Sequence, residues 1–210
     1  VITIVVRVWM PDRPGALGQV ASRVGAVRGD VLAIEVLEQG GGRAIDELTV
    51  SLPSDDLLAL LAAEIGAVDG VSVESIRVVD PDRVDPSMSA LAVAAAIAES
   101  PIDERLEVMS RGIERFSETD WVIVRRRGEQ VSQIGRPPDA GWLTAFLAGS
   151  EHLDGLDDSA PSDLFWGHLE RSGFTVAAGR SNHPIHERER VRFSLLLRLA
   201  DALLVGHPVP

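Results

Sequence analysis

The sequence predicts a mixed α/β (α+β) protein of two domains, and three observations carry that prediction. Residues 1–80 alternate β-branched apolar runs with helical patterns in the order βαββαβ. Asp80-Pro81-Asp82-Arg83-Val84-Asp85-Pro86 then breaks all periodicity. A second set of helices and strands of different composition follows over residues 88–210, leaving 81–87 as the linker.

Residues 2–10 form the first strand, β-branched and nearly all apolar, as a strand covered on at least one face requires. A helix is expected over 15–27, with Leu17, Val20, Val24 and Val27 in its pattern, stopping near Arg28-Gly29 where the glycine takes a left-handed cap conformation. A second strand is expected over 31–38. The Gly40-Gly41-Gly42 turn reverses the chain, and 43–52 alternates as a third strand. Ser54 is the expected cap of a second helix, with acidic residues in its first turn and Leu57, Leu60, Leu61 and Ile65 on one face. Residues 71–79 close the unit as a fourth strand. Two βαβ-like halves joined by a hairpin give one antiparallel sheet with both helices on one face, the ferredoxin-like arrangement. Apolar residues on both parities of the first two strands predict that the other face is covered too, by a second chain or by the C-terminal region.

Beyond the break, residues 87–98 and 101–116 read as helices. Residues 121–127 and 130–134 read as a hairpin turning at Gly128-Glu129. A short helix holds Trp142, Leu143, Phe146 and Leu147, and a Gly-, Asp- and Ser-rich loop follows to residue 160. The apolar run 164–169, a strand over 174–178 and a helix over 186–204 complete the chain.

Composition narrows the chemistry. The chain has 210 residues, 45% hydrophobic and 25% charged, enough for a buried core without staples. It has no cysteine, which excludes disulfides and thiolate chemistry, and its 20 basic residues are all arginine, which excludes Schiff-base chemistry and a phosphate-loop lysine. A net charge of −12 repels polyphosphate, so nucleic acid is not an expected partner. Arg125-Arg126-Arg127 reads as the solvated end of a strand. No apolar run reaches membrane-spanning length, and residues 1–10 show neither a basic n-region nor a cleavage site. A cytoplasmic protein, with no membrane partner and no cofactor, is expected.

The most informative segment is Asp12-Arg13-Pro14-Gly15-Ala16-Leu17, which hands a strand directly to a helix. Such a turn leaves backbone N–H groups unpaired and pointing outward, suited to a small anion such as a carboxylate. Pro14 fits the first helical turn, where no N–H is needed, and Gly15 removes the side chain that would block approach. The bland reading is a turn that only caps its helix.

That turn, the Gly29-Asp30-Val31-Leu32 start of the second strand and the βαββαβ order together resemble the ACT family of small-molecule-sensing domains, over residues 1–80. The resemblance implies regulation: such domains bind amino acids or similar ligands and pair side by side, with ligands at the interface. It implies ligand binding by Asp12, Arg13, Pro14, Gly15, Ala16 and Leu17, with Asp30 supplied by the neighbouring chain. Both polar positions are carboxylates here, where well-known amino-acid-binding members carry amides. Two acidic groups favour an ammonium or another cation on the ligand, and its carboxylate then rests on the N–H groups near Gly15, Ala16 and Leu17. Residues 88–205 are more distantly similar to a truncated GAF domain, with a hairpin over 121–134, a closing strand over 174–180 and a last helix. That resemblance implies dimerisation through the first and last helices, around residues 90–98 and 191–204.

The histidines do not form a metal or catalytic set. Pro184 separates His183 from His186 and prevents one regular helix from presenting both, while His152, His168 and His207 have no partners at catalytic spacing. Serine-hydrolase, phosphate-loop and dinucleotide motifs are absent, so no residue is nominated for catalysis or metal binding. The expectation is therefore a non-catalytic regulatory homodimer that binds an amino acid or similar metabolite, acting on a regulated protein partner. The alternatives are a ligand-free adaptor contacting an enzyme or transcription regulator, and a hydrolase using carboxylates and a histidine.

Overall fold

A computed structural model describes residues 1–150 and 161–208, and the chain divides into two compact units, Val1–Arg83 and Val84–Pro210. The rest of the Gly-, Asp- and Ser-rich loop, with His152, lies outside the described residues.

The first unit runs β1 (Ile2–Pro11), α1 (Ala16–Ala26), β2 (Asp30–Gly40), β3 (Arg43–Leu52), α2 (Leu58–Gly66) and β4 (Ser72–Val79). Its sheet has the order β2-β3-β1-β4 with every pair antiparallel, which is the ferredoxin-like α+β arrangement. Strand alternation puts Ile4, Val6, Val8 and Met10 of β1 on one face with Ala44, Leu48, Val50 and Leu52 of β3. These close one core with Val20 and Val24 of α1 and Leu61 and Ile65 of α2. Each such fully buried aliphatic side chain contributes roughly 1.5–3 kcal/mol, so this face holds the unit together. The opposite face carries a charged layer: Arg7 Nε donates to Glu47 Oε2 at 2.8 Å, and Arg83 and Arg77 approach the same carboxylate at 3.2 and 3.7 Å. Arg7 is only 2% exposed, and the three guanidinium groups around the Glu47 carboxylate compensate its burial.

Local chemistry departs from expectation at several ends. The left-handed residue after α1 is Arg28, with φ 61°, not Gly29. Gly29 is needed for space, because a Cβ there would meet Val24 Cγ1 at 2.9 Å and Leu52 Cδ2 at 3.0 Å. Ser54 makes no side-chain capping bond, because a short 3-10 turn over Asp55–Leu57 precedes α2. Leu60 is 48% exposed, and Leu58 takes its place against the core.

The second unit runs α3 (Pro86–Glu99), α4 (Arg105–Ser117), β5 (Trp121–Arg126), β6 (Glu129–Gly135), α5 (Ala140–Gly149), β7 (Leu164–Leu169), β8 (Phe174–Gly179) and α6 (Glu187–Leu203). Asp85 caps α3 by accepting from the amides of Ser87 and Met88 at 2.9 and 3.0 Å, with Pro86 in the first helical position. The sheet order is β6-β5-β8-β7, all antiparallel, so the apolar run 164–169 is a strand. Side chains of α3, α4 and α6, including Ile97, Met109 and Phe193, pack on one face of this sheet with Val122 and Val124. Leu143 and Leu147 of α5 pack on the other with Trp121, Ile123 and Trp166.

The hairpin turns at Arg127-Gly128 and not one residue later, both residues having positive φ (52° and 84°). Two of the three consecutive arginines are also engaged rather than solvated. Arg125 donates to Thr144 Oγ1 at 2.9 Å, and Arg126 donates to the His207 carbonyl at 3.2 Å while lying 4.8 Å from the Phe174 ring centre.

Candidate functional site

The β1–α1 turn is solvent-exposed from Asp12 to Gly15, and Ala16 is buried beneath it. Its position is fixed at both ends. The Asp12 amide donates to the Gly42 carbonyl at 2.9 Å, tying the turn to the β2–β3 hairpin, and Pro11 packs so closely on Gly70 that a Cβ there would lie 2.8 Å from its ring. Pro14 precedes the helix, which starts after Gly15, and Gly15 has φ 87°. This conformation favours glycine, and a Cβ placed there would meet nothing within 4 Å. The surface above Gly15 is therefore open.

The amides divide as follows. Ala16 donates to the Arg13 carbonyl at 3.2 Å, so its N–H is engaged within the turn and is not available to a ligand as expected. The amides of Gly15, Leu17 and Gly18 have no hydrogen-bond acceptor among the described residues. Leu17 and Gly18 belong to the first helical turn, where unpaired N–H groups and the helix dipole favour an anion. Arg13 reaches Gln19 Oε1 at 3.5 Å along the surface of α1.

Asp30 is the first residue of β2 and pairs with Ser51, which pairs with Thr3. Asp12 follows the other end of β1, so within one chain the two carboxylates lie at opposite ends of the sheet, roughly 30 Å apart at about 3.3 Å per residue. A single chain does not bring Asp30 to the turn.

Asp46, which sequence reasoning passed over, is a buried acid on which the Asp12 charge acts. It lies on β3 opposite Val8 of β1 and Val36 of β2, on the helix-bearing face with Ala44 and Leu48. It is 4% exposed, and its Oδ1 is buried with no hydrogen-bond partner. Burial, and after it the nearby charge of Asp12, push its carboxyl above the usual carboxylate range. The sequence signal was an acid at a core parity of an alternating strand.

The second unit offers weaker candidates. His183 is buried with its Nε2 3.7 Å from Glu118 Oε2, and the His186 amide donates to Glu189 at the start of α6. His168 pairs with Thr175 across β7 and β8 at 3.1 Å, and His207 Nδ1 contacts the Ile102 carbonyl. No group of three or more metal-ligating side chains occurs among the described residues. An open groove of about 600 Å³ lies between α4 and β6, lined by Leu106, Ser110, Val131, Ser132 and His207 among others. No described helix is long and apolar enough to cross a membrane.

No protein-family model matches the chain, and no curated protein matches it. Among solved structures, the chain is similar to an unknown protein from Galdieria sulphuraria at 18% identity, covering 56% of this chain and 92% of that one with a TM-score of 0.34. It is also similar to a formyltetrahydrofolate deformylase from Pseudomonas putida at 17% identity with a TM-score of 0.29. That match covers 45% of this chain and spans 38% of the deformylase.

Proposed function

We propose that the first unit is an ACT-type regulatory domain that binds an amino acid or similar small metabolite at the β1–α1 turn, and that the second is a GAF-like unit for assembly or relay. The observation that carries the reading is one exposed turn in which open space over left-handed Gly15 coincides with unpaired amides at Leu17 and Gly18. Those amides receive the ligand's carboxylate, and Asp12 at the rim receives its ammonium.

Pairing between chains gives the site its regulatory output. β2 is an edge strand, with Leu32 and Ile34 exposed by 56% and 44%. Two β2 edges paired antiparallel about a two-fold axis would bring Asp30 of a second copy to the end of the sheet where the Asp12 turn sits. A ligand bound there touches both chains and favours that dimer over others, a population shift and not a chemical step.

The test is a thermal-stability screen of the full chain against the standard amino acids, repeated on Gly15→Trp. Ligand at 100 times its dissociation constant stabilises by about 2.7 kcal/mol, and the bulky side chain, projecting into open space, should abolish that shift without unfolding the second unit. Retained binding by Gly15→Trp would remove the turn as the site.

A further inference from the structure

We infer that the groove between α4 and β6 of the second unit is a docking site for an extended, basic peptide segment of a partner protein, which adds to the open edge of β6 as a further strand. The inference is independent of the β1–α1 turn. It rests on the shape of the groove, the open backbone along it and the charge beside it.

β6 ends its sheet, because the strand order is β6-β5-β8-β7 and β6 pairs with β5 alone. Alternate residues of such a strand turn their backbone N–H and C=O groups away from the sheet. Beyond the ladder to β5, the β6 backbone makes one hydrogen bond among the described residues, from Gln133 Nε2 to the Gly135 carbonyl at 3.1 Å. The groove is lined by four consecutive residues of this strand, Val131, Ser132, Gln133 and Ile134. Consecutive side chains of a strand point to opposite faces, so a space that touches all four runs along the strand's edge and not over one face. Its other wall is α4 and the turn before it, where Asp103, Leu106, Glu107, Ser110 and Arg111 have the spacing of one helical face.

The β6 wall is roughly 10 Å long at about 3.3 Å per residue, the span of three or four extended residues. The Ser110 and Ser132 hydroxyls meet at 3.1 Å and tie the two walls together; Ser110 donates to the Leu106 carbonyl at 2.8 Å, so Ser132 donates to Ser110. Leu106, with the partly buried Val131 and Ile134, offers apolar surface to alternate side chains of an added strand, whose main chain bonds the β6 edge. Asp103 and Glu107 line the groove against Arg111, which pairs with Glu107, and Asp103 forms no ion pair among the described residues. That excess acid and the chain's net charge of −12 attract a basic segment and repel a second copy of this chain. The register shift after Val124 leaves Val131 as a bulge, which interrupts the edge and limits pairing to a short segment.

The probes are dye-labelled, amidated hexapeptides, Arg-Val-Arg-Val-Arg-Val and Glu-Val-Glu-Val-Glu-Val, titrated into the full chain by fluorescence anisotropy. Two further forms of the basic peptide are N-methylated at alternate residues, one on each parity, which removes the N–H groups along one edge at a time. The basic peptide should bind at least about tenfold more tightly than the acidic one. Methylation on the parity that faces β6 should weaken it at least about tenfold, while the other parity stays within about threefold. Bound peptide should slow amide exchange at alternate residues within 131–134, and the exposed variant Asp103→Arg should weaken binding about threefold or more. No binding of the basic peptide, equal binding of the acidic one, equal effects of the two methylation patterns, or unchanged exchange over 131–134 overturns the docking site. Protection of the β6 amides that grows with protein concentration in the absence of peptide assigns the edge to a second copy of the chain and overturns the peptide as its occupant.

Discussion

The charge of Asp12 adds to burial in holding the Asp46 carboxyl above its ordinary range, and this has a measurable pH dependence. Burial first, and Asp12 second, raise the Asp46 carboxyl above its ordinary value of 3.8, so the folded chain holds that proton to higher pH than the unfolded chain. The contribution of this group to stability is therefore full below the ordinary value and lost as pH rises through the raised one. Asp46→Asn should equal wild type in acid and exceed it by about 1 kcal/mol at neutral pH, read by urea unfolding across the range. A wild type that gains on the variant as pH rises would contradict this.

Arg28 and Gly29 give a prediction opposite to the one their sequence suggests. Arg28→Gly relieves a positive φ and should stabilise by about 1 kcal/mol. Gly29→Ala should destabilise by about 1–3 kcal/mol, because its Cβ meets Val24 and Leu52. Chemical denaturation of both variants checks the order.

Arg180 and Glu189 should be the most sensitive pair of the second unit. Arg180 Nη2 lies 2.8 Å from both carboxylate oxygens of Glu189, and Nη1 donates to the Ser117 carbonyl at 2.9 Å, so one guanidinium joins α4, the loop after β8 and α6. Removing one member of a buried pair typically costs about 3–5 kcal/mol. Glu189→Ala should lower the melting temperature sharply, and tryptophan fluorescence, with Trp121, Trp142 and Trp166 all in this unit, reports it.

Asp201 titrates in the other sense from Asp46. Burial pushes its carboxyl up, but the Ser172 hydroxyl, the Ser172 and Arg171 amides and the Arg171 charge outweigh burial and hold it below the usual range. Its contribution is full above the ordinary carboxylate value and lost as pH falls through the lowered one. Asp201→Asn should remove that acid-side loss and speed amide exchange at Arg171 and Ser172, which donate to this carboxylate at 3.1 and 2.9 Å.

The first unit was legible because its signals are local. Alternation in β1 and β3, the Gly41-Gly42 turn and the Asp12–Leu17 segment each specify their own backbone, and the antiparallel ferredoxin-like sheet follows from their order. What could not be read was set by tertiary packing. Gly29 answers to Val24 and Leu52, Leu58 displaces Leu60 once a 3-10 turn rotates the start of α2, and Arg125 and Arg126 find partners on α5 and near the chain's end. Asp46 was missed because it reads as an ordinary polar residue of an alternating strand, although it shares the parity of Ala44, Leu48, Val50 and Leu52, which the register then sets on the core face.

The most direct test of the central claim is calorimetric titration of the standard amino acids into the full chain, in parallel with Asp12→Ala. Selective binding of one amino acid by wild type, lost in the variant while its fold is unchanged, is the predicted result. Binding that survives Asp12→Ala at full affinity, or no binding by a folded wild type, would contradict the assignment of the β1–α1 turn as an amino-acid site.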